Sequence, residues 1–300
     1  MSKIWGRKYR LEINPVGGEQ MVYEPPMQIV FNVENSPENQ TATAKISIYG
    51  VSAISRQLIQ KYDTERKNFG TVRLSAGYEA VDGDLFEGSI NSVEVGRDSN
   101  GTYIRLYCWR NFDKWRDAVL NKTWGEGTTA ATILTDVASV FDQPVELIGK
   151  FDDLPVAIQG MTMPSISCRD WLNLMKTRWQ FSWWISMTKT VIARSHSARD
   201  GISYEIHAGN GMEGVPKWYL QSMEVDLKLT PKIQPGDVVH VTSSFWTINY
   251  SGMYHTPVDN QAQEQTGSGL FRVLSTSHSG DFSNDAWKTT LKCLWHKGVS

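Results

Sequence analysis

Two β-rich stretches with hairpin signals, from about Gln28 to Trp109 and from about Leu220 to Trp295, stand near the ends of this chain and flank a helix-bearing middle. A period of two puts apolar side chains on one face of an extended strand, so each end must bury one face of a sheet. In the first stretch Ile29, Phe31 and Val33 alternate, then Ala44, Ile46 and Ile48. Further strand signals follow over Thr71 to Tyr78, Asp84 to Val95 and Tyr103 to Trp109. Asp82-Gly83 and Asn100-Gly101 stand between them and supply the backbone freedom of tight antiparallel turns. Ser52 is placed to cap a short helix whose Ile54, Leu58, Ile59 and Tyr62 share one side, a plug for one opening of a curled sheet or small barrel.

The middle changes period. Phe112, Trp115, Val119 and Leu120 predict a connecting helix, and Thr128 caps a second helix with Ile133, Leu134, Val137, Ala138 and Phe141 on one stripe. Ser167 and Asp170 form a capping-box variant opening a third, with Trp171, Leu172, Leu174, Met175 and Trp179 turned inward. A hairpin over Phe181 to Ile185 and Val191 to Ala193 completes an α/β module. After a glycine-rich join at His207 to Gly214, strands resume at Leu220–Leu229, Asp237–Thr242, Gly269–Ser279 and Ala286–Trp295. The polar stretch from Ser251 to Ser268 interrupts them as a long loop. The expected fold class is mainly β with α+β: antiparallel β units over 1–112 and 206–300 around a helix-helix-hairpin module over 113–205.

Composition narrows the function. A formal charge of −2 leaves no basic excess for neutralising phosphates, which argues against sequence-specific nucleic-acid reading. Cys108, Cys168 and Cys293 are odd in number and sit in apolar or aromatic strings, as reduced core thiols of a chain made in a cytoplasm. No export signal or span of about 18 apolar residues is expected.

Each candidate for chemistry has a plainer explanation. Asp82, Asp84 and Glu87 straddle a hairpin and lack the ligand ladder of a calcium loop, and Asp281, Asn284 and Asp285 sit where another hairpin needs polar residues. His196, His207, His240, His255, His278 and His296 show no metal-ligand spacing. A base role for His278 oriented by Asp281 lacks a nucleophile elbow. Trp179, Trp183 and Trp184 could form a sugar platform, but fall at core positions. The expectation is no catalytic, cofactor or metal residue, although carboxylates distant in sequence can still meet in a fold.

The order of these signals resembles the baseplate hub proteins of tailed bacteriophages, the late control D-like group and its relatives in contractile injection systems. The likeness rests on Ala44 to Ser52, Val72 to Tyr78, Leu85 to Ile90, Ile133 to Ala138, Asp170 to Met175, Phe181 to Ile185, Ile233 to Val239, Arg272 to Asp281 and Trp287 to Leu291. It implies two tube-type, barrel-like β domains per chain. Three copies would form a ring with six such domains, joining a sixfold tail tube to a threefold spike or needle. The implied partners are two further copies, the spike, the tube and other baseplate proteins, with phage DNA passing through the lumen without specific binding. The implied location is the virion, after assembly in the host cytoplasm, with no membrane insertion and no enzymatic step. The alternatives are a tail-associated cell-wall hydrolase and a sixfold distal or tube-capping protein.

Overall fold

The computed structural model describes residues 6–78, 83–154, 157, 159–219, 222–245, 247–248 and 268–296. The amino-terminal β unit holds β1 (Arg7–Pro15), β2 (Met21–Tyr23), β3 (Ile29–Asn35), β4 (Thr43–Tyr49), β5 (Gly70–Tyr78), β6 (Asp84–Asp98) and β7 (Gly101–Trp109), with α1 (Ala53–Ile59) after β4. Their inward positions share one cluster that includes Leu11, Phe31, Ile46, Leu74, Phe86 and Leu106, so the sheet must bend around it. The hairpin between β6 and β7 pairs Asp98 with Gly101, whose φ of +119° is open to glycine alone. Strand β1 went unforeseen: Tyr9, Leu11 and Ile13 alternate there, but among Arg7, Lys8 and Arg10. Helix α1 presents less of its apolar side to the core than expected. Only Ile59 enters the core, while Ile54 remains 73% exposed, because seven residues give too few turns to present a full stripe.

The middle unit contains α2 (Phe112–Asp117), β8 (Thr123–Trp124), α3 (Ala130–Ser139), β9 (Val145–Ile148), β10 (Met161–Thr162), α4 (Cys168–Arg178), β11 (Phe181–Ile185) and β12 (Thr190–Arg194). Ser167 caps α4, its hydroxyl accepting from the Asp170 amide. The cap of α3 is Thr129 rather than Thr128, whose hydroxyl instead donates to the Gly125 carbonyl. Leu174 is 65% exposed rather than inward, since Trp171, Leu172 and Met175 already fill the buried face of α4. Val119 likewise points out. The β11–β12 hairpin gains β9 as a parallel third strand.

The carboxy-terminal β unit has β13 (Tyr204–Ile206), β14 (Met212–Trp218), β15 (Met223–Lys228), β16 (Val238–Thr242), β17 (Thr247–Ile248), β18 (Ser268–Asp281) and β19 (Trp287–Trp295). The glycine-rich segment from His207 is therefore the turn between β13 and β14, inside this unit rather than a join before it. The stretch from Ser251 to Ser268 lies, but for its last residue, outside the described residues.

The two β units repeat one topology. The first runs β3-β4-β7-β6-β5-β1 across the sheet, and the second runs β14-β15-β19-β18-β16-β13. Numbered within each unit, these strands occur in the same sequence order. Every equivalent neighbour pair is antiparallel in both, except that the long antiparallel β1–β5 pairing is a short parallel β13–β16 pairing in the second unit. Registers agree as well. Ala44, Ile46 and Ile48 face Cys108, Leu106 and Ile104, while Met223, Val225 and Leu227 face Cys293, Leu291 and Thr289. A bulge follows the Ile90–Cys108 pair in one unit and the Val273–Cys293 pair in the other. Extending that register backwards sets Phe86 beside Gly269 and Gly88 beside Phe271. A Cβ on Gly88 would meet the Phe86 ring at 2.7 Å, and one on Gly269 would meet the Phe271 ring at 3.0 Å. In each unit a phenyl ring thus lies against the glycine two residues away on the same strand.

The units share one 14-stranded sheet through β18. On one edge of that strand Ser268–Arg272 pair with β16, while Thr276–Asp281 pair with β3. The turn after β18 is seated in the first unit. Trp287, 1% exposed, packs in the first core against Phe31 and donates from Nε1 to the Gly77 carbonyl at 3.1 Å. The Arg7 guanidinium binds the carbonyls of Asn284 and Asp285.

Two arginines fasten the middle unit. Buried Arg110, at the end of β7, donates to the carbonyls of Glu87 and Met187. Arg199 spans from Glu146 on β9, at 3.0 and 2.9 Å, to Asp237 at 2.7 Å. Burial alone would lower the Arg199 pKa, and the two carboxylates more than offset it. Removing the guanidinium leaves two partly buried acids facing each other. Arg199→Met should therefore cost about 2–4 kcal/mol, read as a lower urea midpoint.

Candidate functional site

The shared sheet presents its second face as rows of polar side chains. Because strand side chains alternate and the inward set is apolar, everything between falls on the outer face. One row runs Lys228, Lys288, Ser279, Asn32, Lys45, Tyr107 and Ser92 across seven strands of both units. The next runs Asp226, Thr290, Ser277, Glu34 and Thr43. No seam marks the boundary between units, because β18 and β3 pair there in register.

Two acids on this face are paired with basic neighbours. Asp226 accepts from Lys288 at 2.7 Å and from Thr290 at 2.5 Å. Burial pushes its pKa up, but those two donors more than offset it and hold the carboxyl below its usual range. In the first unit Glu94 accepts from Tyr103 at 2.8 Å, Tyr107 at 2.9 Å and Arg105 at 3.0 Å. The two tyrosine hydroxyls, chiefly Tyr103, lower the Glu94 pKa. The Arg105 guanidinium lies over the Tyr103 ring at 4.5 Å, and Lys45 lies 5.8 Å from the Tyr107 ring. Lys288 and Arg105 are thus matched by acids, whereas Lys45 and Lys228 make no ion pair among the described residues.

The residues singled out for chemistry are dispersed and engaged structurally. Asp82 lies outside the described residues. Asp84 takes both Arg73 nitrogens, at 3.2 and 2.6 Å, and the Ser75 hydroxyl, so Arg73 holds its pKa down. Asp281 accepts from the Ser283 amide and the Asn284 side chain within its own turn, whose backbone oxygens meet Arg7. His278 is 5% exposed and shares a hydrogen bond with Thr289 at 2.9 Å, not with Asp281. Trp179, Trp183 and Trp184 are all buried, so they offer no sugar platform. Cys108, Cys168 and Cys293 are free and buried. Among the described residues no group of side chains is placed to hold a metal ion, and no helix is long and apolar enough to cross a membrane.

The polar rows themselves escaped the sequence reading. Their only signal is the polar half of each alternation, which any solvated strand shares.

No protein-family model matches the chain, and no curated protein matches it either. Solved structures do. A tail protein from Neisseria meningitidis MC58 aligns with a TM-score of 0.56 at 10% identity, covering 97% of this chain and 98% of that one. The 43 kDa tail protein of prophage MuSo2 from Shewanella oneidensis aligns at 0.56 and 9% identity, over 96% and 98%. An E. coli type VI secretion component, described as structurally similar to the T4 tail proteins gp27 and gp5, aligns at 0.52 and 8% identity, over 96% and 77%. The chain therefore has the mainly antiparallel fold of phage tail and type VI secretion proteins, and its resemblance to baseplate hubs holds at the level of fold.

Proposed function

We propose that this chain is the hub subunit of a phage tail baseplate, acting by shape and symmetry with no chemical step. The observation that carries the reading is the repeated strand order of the two β units within one sheet. A chain with two equivalent modules can present six near-identical lobes from three copies. Such a ring meets a sixfold tube on one side and a threefold spike on the other.

The sheet also indicates how a ring would be lined. Its apolar face is already covered by the cores of the two units. If copies join around an axis, the polar rows through Lys45, Ser279 and Lys288 are the face left for the lumen. Lys288 and Arg105 on this face are matched by Asp226 and Glu94, which supports a channel through which DNA slides without specific binding. We assign residues 1–112 and 206–300 to the tube-type domains and 113–205 to a peripheral module available to other baseplate proteins. The particle would be assembled in the host cytoplasm and reside in the virion. Native mass spectrometry of the purified protein, with and without a co-expressed spike protein, should give trimers; a hexamer would assign the chain to a distal or tube-capping role.

A further inference from the structure

One strand edge at the far end of the first β unit is unpaired. Strand β6 joins β5 over Asp84–Ser89 on one edge and β7 over Ser89–Asp98 on the other. From Val93 to Asp98 the first of these edges meets no strand among the described residues. The repeat shows what belongs there. Val95 faces Ile104 as His278 faces Thr289, so Val93–Asp98 is the counterpart of Thr276–Asp281 on β18. All six of those β18 residues pair with β3 of the other unit. Burial differs accordingly. Thr276 and His278 are buried at that junction, whereas Val95 is 41% exposed and Val93 only half-buried. An unpaired backbone edge beside an uncovered valine is a template for one more strand.

The counterpart of β3 in the second unit is β14, at the opposite end of the eight-strand run from β14 to β6. Met212 faces Leu227 as Ile29 faces Ile48, and Lys217 faces Glu224 as Asn32 faces Lys45, with two extra residues between them at a bulge in β14. From Glu213 to Pro216 no strand pairs with the outer edge of β14 among the described residues, and Val215 there is 38% exposed. Strand β17 holds only Lys217 and Trp218, through two parallel pairs. One chain keeps these two edges apart at the ends of its own sheet. A second copy can bring them together, and the same join repeated head to tail closes a ring.

We infer that Val93–Asp98 of β6 adds to β14 of a second copy as an antiparallel strand, making between chains the junction that β18 and β3 make within one. This contact rests on the hub reading and specifies how its copies join. Carried over from the pairs of Asp281 with Val30 and Ser279 with Asn32, the register sets Asp98 opposite Glu213 and Gly96 opposite Lys217. Lys217 then stands between Glu94 and Asp98 and offsets the two carboxylates that meet at Asp98 and Glu213. Val95 falls opposite Trp218, as His278 falls opposite Val33, and is covered. The incoming strand takes the place of β17, exchanging two parallel pairs for a longer antiparallel ladder.

Native mass spectrometry and cross-linking of the whole chain test the contact. Val95→Lys puts a charge on the apolar side of the junction and should convert trimers to monomers. Its far-ultraviolet circular dichroism should match wild type, because Val95 is exposed in the single chain. In the double variant Asp98→Cys/Glu213→Cys, mild oxidation should give covalent dimers and trimers on a non-reducing denaturing gel, and neither single variant should. Facing Cβ atoms of an antiparallel pair lie about 5 Å apart, within reach of a disulfide, and the native cysteines are buried. Trimers that survive Val95→Lys, or a trimeric double variant that forms no covalent species, overturn the inference and leave the hub reading standing. A wild-type chain that is monomeric with and without the spike, or hexameric, overturns the hub reading and this contact with it.

Discussion

Replacing Trp287 with alanine should cost about 3–5 kcal/mol, the range for a large aromatic lost from a closed core. The reason lies in where this side chain sits. Trp287 belongs to β19 of the second β unit, yet it packs in the first core against Phe31 and Phe282 and donates to Gly77. Its loss would open a cavity, orphan the Gly77 carbonyl and free the turn that Arg7 grips. The equivalent position in the first unit is Thr102, by the register that aligns Ile104 with Thr289, so the tryptophan serves the junction rather than the repeated fold. Urea unfolding should show a much lower midpoint, with the two β units no longer melting together. Trp287→Phe should lose less, about 1–2 kcal/mol, mostly from the unmet carbonyl. A Trp287→Ala variant with wild-type unfolding would show that the turn does not hold the units together.

The second large effect is a loss of stability in mild acid. His278 is buried on β18, where that strand pairs with β3, and burial pushes its pKa down to about 4 from 6.5. The unfolded chain therefore binds a proton on this residue at pH values where the folded chain does not. Stability contributed by the neutral ring is complete above about pH 6.5 and falls steadily towards pH 4. The full loss is about 3 kcal/mol. Carboxylates held down by partners, such as Asp226 beside Lys288 and Glu146 beside Arg199, lose their contribution only at still lower pH. Unfolding free energies measured from pH 7 to 4 should thus slope downward in wild type. In His278→Gln that slope should flatten, and an unchanged slope would assign the acid sensitivity elsewhere.

Much of the fold was legible because it is local. The alternation through Phe31, Ile46 and Leu106 and the Asn100-Gly101 turn specify strands and hairpins from adjacent residues alone. Ser167 marked its helix for the same reason. What failed was either disguised or distant. Basic residues around Tyr9, Leu11 and Ile13 hid β1, and Gly214 and Pro216 hid β14 behind the signature of a loop. The union of the two units in one sheet depends on β18 meeting β3 across most of the chain, and no local pattern encodes that pairing. The repeat was expected as two β units of similar kind. Its register, with Leu106 matched to Leu291 and Cys108 to Cys293, emerges only from the pairings, because the flanking residues share little chemistry. The polar rows and the open edge of β6 are likewise products of assembly in three dimensions, built from residues unremarkable in sequence.

Electron-microscope projection images of the purified protein along its symmetry axis test the central claim most directly. Rings of three chains are expected, showing six similar β lobes around an open centre, with the 113–205 modules outside at threefold spacing. Rings with three lobes, or six chains to a ring, would contradict it.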